Sequence, residues 1–425
     1  MAVDYEVVCR ESDLAALLSA AFLLKEGARV LLLPPLEESL PEPGFIIPVV
    51  RGYPATLLSN FVDIKIPEGS FFSWQKDSEI ENWPVVTGSD GNFSESGITA
   101  SNLRPELWEQ LEKIWQLIDG CMSQNLDMPA TSMHGFWHMF KLLVRSELLR
   151  ESRRYTLPLW LKENDISFAE QCKWFSLVPL LSLYRFRQLP LLAFAYGVQS
   201  LLKPAALIDT GALKRKILEY LLANGADRTT ETWSPVFDGK WFIGVGYNNM
   251  VACRSTVYLA DSNPDRLRRE IPEGNQRHDF KRQLLLDDPG FQHSQSFFKK
   301  DSCIGRENSL YHLHCSNSAE LSETEFFTPA SGLGVDDQGG DVLVRHLWQE
   351  METGKRDGKK NIEIGDTWGW QPHLPAMMGA GFLPLTGSFC RFYRVGWHNL
   401  PGFGLGGMIY SAHQAALSVL KNELR

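Results

Sequence analysis

No stretch of this chain is long and apolar enough to read as a membrane span. The most apolar region, Trp174–Leu202, is broken by Arg185, Arg187 and Gln188 into halves shorter than the ~20 residues a bilayer requires. It reads as a buried or cavity-lining helical pair, or as a membrane-facing entrance for an apolar substrate. Cysteine is sparse: Cys9, Cys121, Cys172, Cys253, Cys303, Cys315 and Cys390 are scattered, with no CxxC pair. That excludes a disulfide framework and predicts reduced thiols in a cytoplasmic protein. There is no basic block and the net charge is −9, which excludes nucleic acid as the expected partner. The N-terminal MAVDYEVVCRESD carries acids and enters a strand at once, unlike a secretory signal. No phosphate-binding P-loop and no serine or cysteine nucleophile motif is present. What remains is a 425-residue globular chain, 44% hydrophobic and 22% charged, long enough for two or three domains at ~150 residues each.

The most informative absence is of three glycines. Residues 4–34 read as strand (Tyr5–Cys9), tight turn, helix (Asp13 to Glu26, stopping at Gly27) and strand (Val30–Leu33), the opening of a dinucleotide-binding fold. Counted back from Gly27, the fingerprint G-x-G-x-x-G falls on positions 11, 13 and 16, which hold Glu11, Asp13 and Ala16. The first glycine permits the tight turn and the second lets a pyrophosphate reach the backbone N–H groups at the helix start. Here two carboxylates stand beside the place of an anion. One at ~5 Å from a phosphate charge, at an effective dielectric of ~20, costs about 3 kcal/mol, less whatever Arg10 offsets. The acid that holds the ribose at the end of the second strand is replaced by Pro34. These residues instead suit a self-contained helix start, with Ser12 or Asp13 as the cap.

Further along, Pro34–Pro54 is rich in proline and glycine, and an irregular polar segment with short strands extends to Ser101. Apolar residues at three-to-four spacing predict helices from Pro105 to about Leu202. From Ala206 the texture is α/β again: a strand end, an amphipathic helix ending at Gly225, then two strands with a turn at Gly246–Asn249 and an Asp261-Ser262-Asn263-Pro264 loop. Residues 265–330 are mixed and charged, 331–341 read as a flexible loop, Arg345–Glu352 as a short helix and Lys355–Lys360 as a solvated charge run. The end reads as a strand, a glycine-rich loop and a closing helix. Gly402, Gly404, Gly406 and Gly407 there permit close backbone approach to a neighbour or a ligand.

Three separated blocks together resemble the phytoene-desaturase-like branch of the amine-oxidase-type flavoproteins. They are the opening βαβ unit, the segment from Thr210-Gly211-Ala212 through Gly225 to Asp261-Ser262-Asn263-Pro264, and the closing Val395-Gly396-Trp397-His398, Pro401-Gly402-Phe403-Gly404 and Ser411-Ala412. The resemblance implies an FAD-dependent oxidoreductase acting on apolar molecules such as carotenoid precursors, or on amines. Carried over by residue, it assigns Gly396, Gly402, Gly404 and Gly406 to the flavin end of the closing helix. It departs at Glu11, Asp13, Ala16 and Pro34, and at Trp397, where an acid or small polar residue often stands. These departures cluster on one ligand, so FAD in the usual pose is disfavoured.

Other candidates are weaker. His134 and His138 sit four apart on an expected helix, a spacing that can hold zinc, yet Gly135 stands where a metalloprotease has glutamate, and no third ligand is evident. His312 and His314 fall on one face of an expected strand with Cys315 opposite, poor geometry for a metal. No metal site is expected. Trp368 and Trp370 pack a core or line a cavity for a flat apolar molecule. The expected fold class is α/β: a discontinuous Rossmann-like domain (1–75, 205–275 and 380–425) with an inserted helix-rich α+β substrate-type domain (76–204 and 276–379). The first expectation of function is a non-catalytic partner of an active paralogue or of a second copy, or a holder of an apolar small molecule. The alternative is an active FAD-dependent oxidoreductase with Arg10 offsetting the acids. Peripheral contact with the inner membrane face is a third.

Overall fold

The computed structural model describes residues 5–35, 49–62, 104–126, 137–166 except 138, 139, 142 and 143, 190–260 except 204, 209, 239, 240, 249 and 255, and 391–424 except 397, 398 and 401. It also gives the backbone of seven further strands, at 72–75, 83–87, 276–287, 293–297, 311–318, 321–329 and 361–371. The expectations for 261–264, 331–341, 345–352 and 355–360, and for His134, His138, Trp397 and His398, lie outside the described residues.

Continuous apolar runs suit strands covered on both faces, and β1 (Val7–Arg10) and β2 (Val30–Leu33) are buried at every residue. Between them α1 (Leu14–Lys25) is apolar all round and buried from Leu14 to Leu23. It ends at Gly27, whose φ of 95° places it in the left-handed region that a helix stop favours. Next come β3 (Val49–Val50) and α2 (Tyr53–Leu58), then β4 (Phe72–Gln75) and β5 (Trp83–Thr87). The helix α2 corrects the expectation of irregular chain here. Pro54 fits its first turn, and the Tyr53 amide donates to Asp119 Oδ1 at 2.7 Å, a cap supplied from a distant helix.

The helical middle matches expectation in α3 (Pro105–Ser123), α4 (Glu147–Ser152), α5 (Leu157–Glu163) and α6 (Leu191–Leu202). Helix α3 buries Leu107, Leu111, Ile114 and Ile118 at the three-to-four spacing. The described part of the apolar stretch 174–202 is α6, whose Leu191, Leu192, Phe194, Ala195 and Val198 are wholly buried. Among the described residues no helix is long and apolar enough to cross a membrane.

After β6 (Ala206–Leu207) come α7 (Thr210–Ala223), β7 (Asp227–Arg228), β8 (Ser234–Asp238), β9 (Trp241–Tyr247), β10 (Met250–Arg254) and β11 (Val257–Ala260). The expected turn is present, with Asn248 at φ 47°. The single strand expected after it is two: β10 pairs antiparallel with β9, and β11 pairs parallel with β1. The chain therefore leaves one sheet after Arg254 and enters the other at Val257. Then follow β12 (Gln276–Asp287), β13 (His293–Phe297), β14 (Tyr311–Ser318), β15 (Leu321–Pro329), β16 (Asn361–Gln371), β17 (Phe392–Arg394) and α8 (Gly404–Asn422).

One sheet is parallel throughout, in the order β17-β11-β1-β2-β7. A second is antiparallel, β16-β12-β15-β14-β13-β5-β4, and smaller sheets join β10-β9-β8 and β3-β6. Helix α1 packs on the parallel sheet and against α8 and α7, and Ser19 Oγ donates to the Ala412 carbonyl at 2.7 Å across the α1–α8 contact. The architecture is α/β. A Rossmann-like parallel sheet is assembled from the start, middle and end of the chain, so it is discontinuous, with helix-rich α+β structure inserted.

Candidate functional site

In an open parallel sheet, ligands sit outside the carboxyl ends of the strands. Here that edge brings together Arg10 at the end of β1 and Glu11 after it, Pro34 after β2, Arg228 at the end of β7, and Arg394 at the end of β17 with Gly396 after it. Arg10 is buried, and all three of its guanidinium nitrogens are engaged. Nε donates to the Tyr258 hydroxyl at 3.1 Å, Nη1 to the Pro34 carbonyl at 3.0 Å and Nη2 to the Trp233 carbonyl at 2.6 Å. Burial pushes the Tyr258 phenol above its ordinary pKa, and the neighbouring Arg10 opposes that rise. Arg10 therefore clamps strand ends together. The direct hydrogen-bonding partner of the Glu11 carboxylate is not Arg10.

That role belongs to Arg228. The Glu11 side chain is only 7% exposed, and its two oxygens accept from Arg228 Nε at 2.5 Å and Nη2 at 2.7 Å, a bidentate fork of the strongest kind. The Glu11 amide is taken as well, donating to the Leu33 carbonyl at 3.0 Å. Asp13, not Ser12, caps α1: its Oδ1 accepts from the Ala16 amide at 2.9 Å. Ser12 instead offers its carbonyl to Lys214 Nζ at 2.6 Å. Ala16 itself is wholly buried. The Cys9 thiol is pushed far above its usual range by burial, with Asp13 and Glu11 adding to the rise, so it is no nucleophile.

The closing glycines lie just before α8 and in its first turn. Gly396, Gly402 and Gly404 hold φ of 149°, 86° and 55°, and the last of these begins α8. A Cβ on Gly406 would stand 2.5 Å from the Tyr196 hydroxyl, and one on Gly407 would stand 2.5 Å from Phe403 Cβ. The missing side chains thus make room for the chain's own aromatics, whose rings lie 5.2 Å apart. Burial drives the Tyr196 phenol well above its ordinary pKa. Asp119 adds to that rise and Arg51 opposes it.

Beneath Tyr196 is a polar layer that sequence reasoning missed. The Arg51 guanidinium stacks 4.2 Å over the Trp115 ring and donates to the Gln199 carbonyl at 3.1 Å. Burial raises the Asp119 carboxyl against the opposing Tyr53 amide and Arg51. Gly52 must be glycine here, since its φ is 68° and a Cβ would overlap Asp119 Oδ1. Only the position of Gly52, just before a proline-containing turn of helix, hinted at this arrangement. The backbone of β14 places His312 and His314 on one strand face, as expected, and Trp368 and Trp370 share a face of β16. Among the described residues no group of three His, Cys, Asp or Glu side chains could hold a metal ion.

The residues at the start of α1 do not fit a dinucleotide pyrophosphate as arranged. The Ala16 amide that would meet it is bonded to Asp13, and the Glu11 carboxylate occupies the adjoining cation. No protein-family model matches the chain, and no curated protein is similar to it at significance. Solved structures do match. Putrescine oxidase bound to putrescine superposes with a TM-score of 0.54 at 11% identity, over 99% of this chain and 100% of that one. A cofactor-binding variant of that oxidase gives 0.55 at 11% over 98% and 99%. The RAB GDI of Plasmodium falciparum gives 0.50 at 9% identity over the whole of both chains. Near-complete coverage at such low identity is a likeness of architecture: this chain shares the α/β fold of putrescine oxidase.

Proposed function

We propose that this protein keeps the architecture of a flavin-dependent oxidoreductase with its dinucleotide end closed by its own side chains, and that it works without flavin there. On this reading it is a non-catalytic partner of an active paralogue or of a second copy, or it holds an apolar small molecule. On this reading its sequence pattern is phytoene-desaturase-like, its domains divide at about residues 75, 205, 275 and 380, and its setting is cytoplasmic. The observation that carries the reading is the bidentate Glu11–Arg228 pair beside an α1 N-terminus already capped by Asp13. Positive charge and amide donors, the two things a pyrophosphate needs at this place, are both satisfied from within.

A second reading is an active FAD-dependent oxidoreductase, and one observation favours it. Two cations, Lys214 and Arg228, flank the β1–α1 turn, and Arg228 is 55% exposed. An anion that displaced Glu11 would meet both. The deciding experiment is the visible spectrum of the purified protein before and after excess FAD. A colourless protein from which FAD dialyses away supports the first reading. Yellow flavin that co-purifies and is released on denaturation overturns it. Glycine at 11, 13 and 16 together tests whether the turn alone is responsible: flavin binding by that variant places the loss in the turn, and none places it also in the filled Gly406 end.

A further inference from the structure

Residues 137, 140, 141, 144 and 145 are helical, and their spacing of three, four, seven and eight sets them on one face. That face is open. Trp137 and Phe140 are each 56% exposed and Val144 is 57% exposed, among the largest apolar exposures of the described residues. The two rings stack with centroids 5.7 Å apart and planes 16° from parallel. Lys141 and Arg145 lie on the same face, and the Lys141 ammonium sits 5.4 Å from the Trp137 ring centre. Downstream, Arg150, Arg153 and Arg154 follow with only Glu147 and Glu151 against them. A chain of net charge −9 therefore sets two cations, Lys141 and Arg145, beside its exposed aromatics.

We propose that this face docks on an anionic lipid bilayer surface, Trp137, Phe140 and Val144 entering the headgroup layer while Lys141 and Arg145 meet lipid phosphates and carboxylates. Tryptophan favours that depth because its ring is apolar and its N–H polar. An apolar face bordered by lysine and arginine is the pattern of an interfacial helix. Charge complementarity favours an anionic lipid surface, because Lys141 and Arg145 border the apolar face in a chain of net charge −9. The inference is independent of whether flavin binds.

The test is co-sedimentation of the full chain with phosphatidylcholine vesicles made with and without phosphatidylserine. Binding is expected only with the anionic lipid, and it weakens as salt rises. At about a fivefold loss per basic residue, Lys141→Gln with Arg145→Gln lowers the partition coefficient roughly 30-fold. Trp137→Ser with Phe140→Ser lowers it at least about tenfold. All four positions are exposed, so both variants keep the wild-type unfolding midpoint. No partition onto anionic vesicles, or partition unchanged in Trp137→Ser/Phe140→Ser, overturns the assignment. So does a wild-type dimer that this variant dissociates, which gives the face to self-association.

Discussion

If Glu11 is held as an internal anion, its pair with Arg228 must be lopsided in a double-mutant cycle. The charge centres are ~4 Å apart, a gross attraction of about 4 kcal/mol at an effective dielectric of ~20. The two ends differ in their access to water: the Glu11 side chain is 7% exposed and that of Arg228 is 55% exposed. Arg228→Gln strands a desolvated carboxylate without its two donors and should cost about 2–3 kcal/mol of folding stability. Glu11→Gln leaves a guanidinium that turns into solvent, and should cost only about 1 kcal/mol. The coupling between them should then be about 1–2 kcal/mol. Urea unfolding of the four proteins reads all three quantities. Equal costs for the single changes, or coupling under about 0.5 kcal/mol, would mean that Glu11 is not a captive charge, and the closed-site argument would fail with it.

Other outcomes follow from single contacts. Gly406→Ala should cost about 2 kcal/mol by driving a methyl into the Tyr196 hydroxyl, and Tyr196→Phe in the same chain should recover most of it because the crowding atom is gone; if glycine at 406 serves only a ligand, the second change rescues nothing. His413 packs edge-on against Phe22 with its Nδ1 buried and unpartnered, and burial lowers its pKa from 6.5 to about 4. The folded state therefore resists protonation that the unfolded chain accepts, so stability is full above pH 6.5 and falls as pH drops toward 4, by about 2 kcal/mol at pH 5. His413→Leu should flatten that part of the pH dependence of the urea midpoint. Isothermal titration of the wild type with FAD should show no heat of binding, and Glu11→Gly with Asp13→Gly should restore some, since the freed Arg228 and the Ala16 amide then face a phosphate.

The fold was legible because its signals are local. The runs Val7–Arg10 and Val30–Leu33, the helix between them and the stop at Gly27 each declare themselves within a few residues, and a βαβ crossover leaves few topologies open. The helices of 105–202 follow from spacing in the same way. Where the reading slipped, the cause was distant. Helix α2 depends on an Asp119 cap 66 residues along the chain, and the split of β10 from β11 depends on which sheet each joins. The site divides similarly. Glu11, Asp13 and Ala16 were visible as departures from a motif, and the Asp13 cap follows from its place before an apolar run. Arg228 was invisible, 217 residues away in a two-residue strand. One signal did exist: an acid fixed at the turn after a buried strand demands a cation, and Arg10, next to it, was the wrong candidate only because backbone carbonyls and Tyr258 had claimed it.

On the flavin-free reading we propose, both ends of the expected flavin path are filled by the same physical device, a side chain of this chain in place of a ligand group. At the first helix a carboxylate takes the amide and another takes the guanidinium. At the last helix a phenol takes the space above Gly406. Here the replacements are paired: Glu11 with Arg228, Asp13 with the Ala16 amide, and Tyr196 with the missing Cβ of Gly406. On that reading the paired replacements stabilise the fold without cofactor. The Gly406→Ala rescue and the Glu11–Arg228 cycle test the two ends separately, so a failure at one does not carry the other with it.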